Sequence, residues 1–296
     1  MSERALSGGA LNAESRPAAM GLAPPAGGLA TIKALARNGL KAMVPAPWYW
    51  RFLASRLGHF DVELRLLPYL CDANKASVDI GASTGSYAVH LLNHSAKCYA
   101  FEPQPEVGVY LTRRLTARPH PRLRVENVAL SDRAGSAHMK VVTADTGRST
   151  IEAENPVERV GAIEVLTVPM RRLDDYLEVM EPVGCIKIDV EGHEEAVLRG
   201  AANVLLRDHP SLIIEIEERH KPGALTAVRR YLAEFGYVGF FFRGGRLHPI
   251  ESFRLDVHQD VAKITTQVAG ESAYVNNFLF FPAASLPKVR HLIDAR

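Results

Sequence analysis

From residue 77 onward, short apolar runs alternate with amphipathic stretches, a pattern that predicts a parallel sheet with helices on both faces. The runs at 77–80, 97–101 and 123–127 predict the first three strands, with helices at 87–93 and 106–117 between them. Pro103 and Pro105 introduce the second helix and Pro119 stops it. Apolar alternation at 137–142 and 163–168 predicts two further strands around a polar loop, 143–162. Beyond it the periodicity predicts a helix at 173–179, a buried strand at 185–190, a long helix at 193–206, a strand at 211–217 and a helix at 223–235 that ends at Gly236. The last strands fall at 237–242 and 275–281, with Gly244-Gly245 as a turn and 251–273 as a long connection. A connection of that length inside a compact domain is more often functional than idle.

The chain before residue 77 is patterned differently. Residues 1–30 hold Ala, Gly, Pro and Ser with almost no large apolar side chains, which predicts a disordered tail. Residues 31–72 read as a basic, aromatic helical extension. In it Ile32, Leu35, Leu40 and Met43 recur at helical spacing, Pro45 and Pro47 end the helix, and Trp48-Tyr49-Trp50-Arg51-Phe52 follows. Residues 31–56 carry five basic side chains and no acid. Two readings of this segment stand: a cap packed on the main domain, or a foot resting on an anionic membrane surface. The main domain is expected at 73–296.

Composition narrows the rest. With 47% hydrophobic residues, a chain of 296 can bury one large core, and a net charge of +2 gives no general attraction to polyanions. No basic stripe with interleaved aromatics lies outside the N-terminal segment, so nucleic acid is not an expected partner. Cys71, Cys98 and Cys185 sit in apolar stretches without metal-ligand spacing and read as reduced core residues, consistent with a cytoplasmic protein. No apolar run approaches the length of a membrane span and no secretory h-region opens the chain, so neither is predicted.

Two strand ends carry the candidate chemistry. Val78-Asp-Ile-Gly-Ala-Ser-Thr-Gly-Ser-Tyr87 is a strand opening through a glycine turn into a helix, and the next strand ends at Glu102. The turn lacks the GxGxxG triplet that brings backbone close to a pyrophosphate, so a dinucleotide fits poorly. A DxGxxxG turn suits a nucleoside bearing a charged amino acid, which is S-adenosylmethionine. Glu102 lies seventeen residues past Gly85, where a carboxylate can accept from both ribose hydroxyls. The second end, Cys185-Ile-Lys-Ile-Asp-Val-Glu-Gly-His-Glu194, crowds Asp189, Glu191, His193 and Glu194 at the same sheet edge. The plainer account of the later acids is that they favour the start of the following helix.

Together with Phe101-Glu-Pro103, Asn127-Val-Ala-Leu130, Leu173-Asp174, Gly200-Ala201 and Pro210-Ser-Leu-Ile-Ile-Glu215, these runs resemble the FkbM-type methyltransferases, a branch of the class I S-adenosylmethionine-dependent enzymes. The resemblance spans about 77 to 281 and leaves the 31–72 extension undefined. It implies a Rossmann-like α/β fold, a seven-stranded mostly parallel sheet with an antiparallel last strand. The implied activity is methyl transfer, usually to a hydroxyl of a sugar, a glycan precursor or a small-molecule natural product.

Expected donor contacts are Asp79, Gly81, Ala82 and Gly85 around the turn, Tyr87 beneath the donor, Glu102 on the ribose, Asn127 and Ala129 by the adenine, and Asp189. His193 is the natural general base by its ordinary pKa, with Asp189 or Glu191 as the alternative or as its orienting group. Arg148, Ser149, Thr150, Glu215 and His220 are candidates for the acceptor border, and Glu217 shares a strand face with Glu215. His258-Gln-Asp260 is a candidate lid or rim, and Asn276-Asn277 either faces the crevice or forms a turn. Asp189, Glu191, His193 and Glu215 could together hold a divalent ion, but spacing within one turn does not show convergence, so a catalytic metal stands open as the less favoured reading. Two other functions compete. A nucleotide-dependent oxidoreductase is opposed by the missing glycine, and a donor-binding, non-catalytic partner subunit by the intact Asp79, Glu102, Asp189 and Glu191.

Overall fold

A computed structural model of the chain describes residues 61–105, 107, 121–143, 146–157, 161–264, 267–268 and 271–293. All of them belong to Val44–Arg296, one of two units into which the chain divides. The predicted tail, residues 31–60 with their aromatic cluster, and nearly all of the predicted helix 106–117 lie outside the described residues.

In chain order the strands are β1 (Ala76–Ile80), β2 (Lys97–Phe101), β3 (Leu123–Glu126), β4 (Ala129–Leu130), β5 (Gly135–Val142), β6 (Ile163–Arg171), β7 (Val183–Ile188), β8 (Ser211–Glu215), β9 (Tyr237–Arg243), β10 (Arg246–Pro249), β11 (Gln267–Val268), β12 (Glu271–Ser272) and β13 (Asn277–Pro282). The main sheet runs β10-β9-β13-β8-β7-β1-β2-β3. Strands β3, β2, β1, β7 and β8 pair in parallel, and β13 runs antiparallel between β8 and β9. Those seven strands are the expected sheet with its reversed last strand. The eighth, β10, pairs antiparallel with β9. The sequence reading made Gly244-Gly245 a turn without a strand beyond it. Both glycines have positive φ, +58° and +75°, as a two-residue hairpin turn requires.

Alternation along the strands sends side chains to two layers. Val78, Ile80, Tyr99, Phe101, Ile186, Ile188 and Ile214 face one layer with Val197, Val204 and Leu232, which come from helices α2 (Glu194–Arg199), α3 (Ala202–Asp208) and α4 (Ala224–Ala233). Cys98, Ala100, Cys185, Ile213 and Leu279 face the other, covered by α1 (Ser86–Leu91) and by Leu66, Leu67 and Leu70. The described end of the predicted extension thus packs into the core.

The expected single helix 193–206 is broken at Gly200-Ala201. A Cβ on Gly200 would sit 1.9 Å from the Ser131 carbonyl oxygen, so the backbones touch there. Gly200 O accepts from Asp174 N at 2.9 Å, and the Asp174 carboxylate accepts from Asn203 N and Val204 N to start α3. Strand β8 stops at Glu215, two residues short of the expected end.

Strands β4, β5 and β6 form a separate small sheet whose Met139, Val141 and Val168 pack on Ala129. Thr150, in the predicted polar loop, bonds back to Lys140 on β5 and carries the loop over the edge of the main sheet. Among the described residues no helix is long and apolar enough to cross a membrane.

Candidate active site

The glycine turn and the Asp189 tip are pressed together. Gly81 N and Ala82 N both donate to Phe101 O at 3.0 Å, and Asp189 N donates to Ile80 O at 2.9 Å. Gly81 has φ +78°, and a Cβ there would lie 1.8 Å from the Asp189 carbonyl oxygen. Only glycine meets both demands. Gly85, φ +82°, turns the chain into α1. The Glu102 carboxylate accepts from Ser83 N through one oxygen and from Gln104 N through the other, each at 2.9 Å. Each oxygen keeps acceptor capacity for a further hydroxyl. Burial pushes the Glu102 carboxyl up, and these amide bonds pull it back.

Around this junction opens a cleft of about 730 Å³, counted to its solvent-filled mouth. Gly81, Ser83, Glu102, Ala129, Ser149, Asp189 and His193 line it, with Phe101, Val128, Leu130, Met139 and Ile151 as its apolar surface. Asp79 stands behind the turn, 2% exposed. Its Oδ2 has no hydrogen-bond partner, and burial pushes it up to about 7. An apolar slot, a carboxylate with spare acceptor sites, an orphaned buried acid and a glycine cradle fit a nucleoside with a cationic tail, so the residues suit S-adenosylmethionine.

Four other expected donor contacts do not line the cleft: Ala82 is buried in the layer under α1, and Gly85, Asn127 and Tyr87 also fall elsewhere. Gly85 shapes the turn without lining the cleft. Asn127 is exposed and donates to Glu102 O at 3.2 Å, leaving the wall to Val128, Ala129 and Leu130. Tyr87 is buried in the layer under α1, its ring 4.9 Å from Lys187 Nζ and its hydroxyl unpartnered.

Lys187 is the interior cation of the acidic turn. At 1% exposure its Nζ lies 3.0 Å from Asn277 Oδ1, 3.7 Å from Asp189 Oδ2 and 3.8 Å from Glu215 Oε2. A buried ammonium survives only with such partners. Asn276 Nδ2 donates to Glu215 Oε1 at 2.7 Å and Asn277 opens β13, so this pair braces Glu215 and Lys187 without lining the donor cleft. Glu215 is pushed well up by burial and by Asp189.

Glu191 adopts φ +55°, a strained conformation held by Asn155 Nδ2 and Thr150 Oγ1, which donate to its carbonyl at 2.7 and 2.9 Å. Burial first, then Asp189, raises its carboxyl to about 10. His220 Nδ1 lies 3.0 Å from Glu191 Oε2, and burial lowers this imidazole to about 4. Glu217 is turned away from the crevice, its two carboxylate oxygens accepting a pair of hydrogen bonds from Arg219 and one more from Tyr274 Oη.

His193 lines the cleft, but both ring nitrogens are engaged. Nε2 meets Ser131 Oγ at 2.9 Å and Nδ1 meets Glu152 Oε2 at 3.2 Å. Glu152 also accepts from Lys221, and the His193 bond leads the causes that lower it to about 2. The expected lid at 258–260 is instead a brace: His258 packs on Phe241 and Phe253, and Gln259 Nε2 donates to Ile216 O and Val275 O. Sequence reasoning missed Ser131, Glu152 and Asn155, which come from segments without periodicity. Lys187 had a signal, a lysine at the centre of a buried strand. Among the described residues no three His, Cys, Asp or Glu side chains are arranged to hold a metal.

A doubly wound sheet with a glycine turn, an acid-tipped second strand and an acidic fourth tip around one cleft defines a nucleoside-binding α/β enzyme. The chain belongs to the methyltransferase FkbM domain family, whose pattern it matches over residues 79–238, a little over half its length. It is 28% identical over 177 residues to the hexuronic acid methyltransferase AglP of Haloferax volcanii, covering 60% of this chain and 70% of that protein. Among solved structures it is similar to methyltransferase FkbM from Methylobacillus flagellatus KT, with TM-score 0.46 and 16% identity. That alignment covers 84% of this chain and spans 60% of the other's length. An O-methyltransferase from Bacillus cereus aligns with TM-score 0.40 and 13% identity over 84% of this chain and 88% of its own.

Proposed function

We propose that this protein transfers a methyl group from S-adenosylmethionine to a hydroxyl oxygen of a sugar, a glycan precursor or a small natural product. The contact between Gly81 and the Asp189 carbonyl, beside Glu102 in one cleft, carries this reading. The donor, when bound, supplies an electrophilic methyl group. Glu102 would hold the ribose, the Asp79–Gly81 turn the methionine portion, and Phe101, Val128, Ala129 and Leu130 the adenine. Met139, Ser149, Thr150 and Ile151 line the same cleft and would screen the reacting atoms from water once the donor is bound.

An alcohol needs a proton acceptor within hydrogen-bond reach. His193 is committed to Ser131 and Glu152, and Glu191 holds its proton at neutral pH. Asp189, one-third exposed at the cleft wall, takes the hydroxyl proton, while Lys187 anchors its carboxylate from behind. The hexuronic acid substrate in the name of the Haloferax relative supports a sugar-type acceptor. The free cysteines Cys71, Cys98 and Cys185 suit a reducing cytoplasm.

The test is transfer of labelled methyl from S-adenosylmethionine into cell extract, read by mass spectrometry. Asp189→Asn is expected to abolish transfer while donor still binds. Full turnover by that variant would remove Asp189 from the chemistry.

A further inference from the structure

The three cysteines lie in one layer, away from the donor cleft. In the parallel register of the main sheet, Cys185 on β7 and Cys98 on β2 both pair with Ser77 on β1, so the three side chains form a row on the face covered by Leu66, Leu67 and Leu70. Cys71 follows Leu70 and turns its sulfur onto that row, where Ser77 Oγ donates to Cys71 Sγ at 3.8 Å. The chain at Cys71-Asp72 also runs against β7: a Cβ on Gly184 would lie 3.2 Å from the Asp72 amide nitrogen. On the other flank the Ser77 hydroxyl is hydrogen-bonded with that of Ser95, just ahead of β2. Cys71 thus stands on the Cys185 side of the row, and the two thiols share a hydrogen bond.

We propose that Cys71 and Cys185 are a modification site, a thiol pair that a peroxide oxidises to a reversible disulfide. Their unequal surroundings assign the roles. Cys71 is partly exposed, and the bond with Cys185 leads the causes that lower its thiol, outweighing burial with help from Ser77 and Ser95. Cys185 is fully buried, and the same bond followed by burial pushes its thiol well up. Burial alone leads the rise of Cys98. The thiol that ionises most readily and meets solvent is the one that attacks an oxidant. The Cys71 thiolate forms an S–O bond as the peroxide O–O bond breaks, and the departing hydroxide takes up the Cys71 proton to leave as water. The Cys185 sulfur then attacks the Cys71 sulfenic acid, forming the S–S bond as the S–O bond breaks, and a second water leaves with the Cys185 proton. Two thiols lose two electrons and one peroxide gains them. Under reducing conditions the pair rests as thiols, and a dithiol restores that state.

The bond closes the chain from 71 to 185, a span that holds the glycine turn, Glu102 and the small sheet, and long closed loops gain most from a crosslink. Cys185 lies four residues before the Asp189 tip, about 13 Å at ~3.3 Å per residue, so the staple is separate from the donor chemistry.

The test treats the full-length protein with hydrogen peroxide, blocks the remaining thiols in denaturant and maps the peptides by mass spectrometry, with melting followed before and after. The expected result is a Cys71–Cys185 crosslink within one chain, reversed by dithiothreitol, with Tm raised by about 5 °C or more. Cys98→Ser forms the same crosslink. Cys71→Ser forms none and gains no Tm, and Cys185→Ala leaves Cys71 as a sulfenic acid that dimedone traps. A Cys71–Cys98 bond, a crosslink only between chains, oxidation of Cys71 to a sulfinic acid without a crosslink, or no loss of thiols overturns the assignment, and so does a crosslink that lowers Tm. Cooperative melting of each untreated variant shows that it is folded. If the buried Cys185→Ala does not melt in this way, the wild-type map and the partly exposed Cys71→Ser decide the matter between them.

Discussion

A methyl group added at Gly81 would meet the Asp189 carbonyl oxygen at 1.8 Å, in a backbone conformation that costs an L-residue about 1–2 kcal/mol before the clash is counted. Gly81→Ala is therefore expected to lower the unfolding midpoint in urea and to weaken donor binding at least tenfold, about the effect of 1.4 kcal/mol. Wild-type affinity in that variant would mean that the turn yields. Asp79 gives a pH signature. Held protonated up to about pH 7, it becomes an anion above that and then attracts a cationic donor. Donor affinity should rise from pH 6 to 8, and Asp79→Asn should flatten the rise in calorimetric titrations. Glu194 and Glu152 push stability in opposite directions. The folded chain keeps the Glu194 proton up to about pH 7, whereas the unfolded chain releases it near 4.5, so this group erodes stability as pH rises through that window. Glu152, lowered to about 2, contributes stability that is complete above pH 4.5 and lost as pH falls toward 2. Glu194→Gln should melt above wild type at pH 8 and converge with it below pH 4.5. The glycines and Glu102 were legible in the sequence because a tight turn and a strand-tip acid are local demands. The Ser131–His193–Glu152 chain was not, since three distant segments meet only in the folded protein.

The parallel strands were legible for a related reason: a strand buried on both faces reads as a continuous apolar run. The break in the helix after Asp189 was hidden, because Gly200-Ala201 looks like a tolerable interruption until the Ser131 carbonyl is placed 1.9 Å from where a Cβ would be. Gly200→Ala is expected to cost about 1–3 kcal/mol in urea unfolding as the two backbones are forced apart. A neutral result would show that α2 and α3 can separate from the β4 end. The loop at 143–162 resisted placement because its organisation comes from contacts with other elements. Thr150 pairs with Lys140 and reaches the Glu191 carbonyl, and Asn155 bonds the same atom.

The chain's topology gathers the consequential groups along one edge. Parallel strands deliver Asp79, Glu102, Asp189 and Glu215 there, and the reversed β13 brings Asn277 to the same line. Carboxylates dominate that edge, and Lys187 is buried among them, a balance suited to a donor that arrives as a cation and leaves without its charge. The clearest check is calorimetric titration of S-adenosylmethionine into the full-length protein and into Glu102→Ala. One donor should bind per chain, and the variant, which lacks the carboxylate proposed to hold the ribose, should bind it about tenfold more weakly. No heat from the wild-type protein, or equal affinity in the two, would contradict the donor site drawn here.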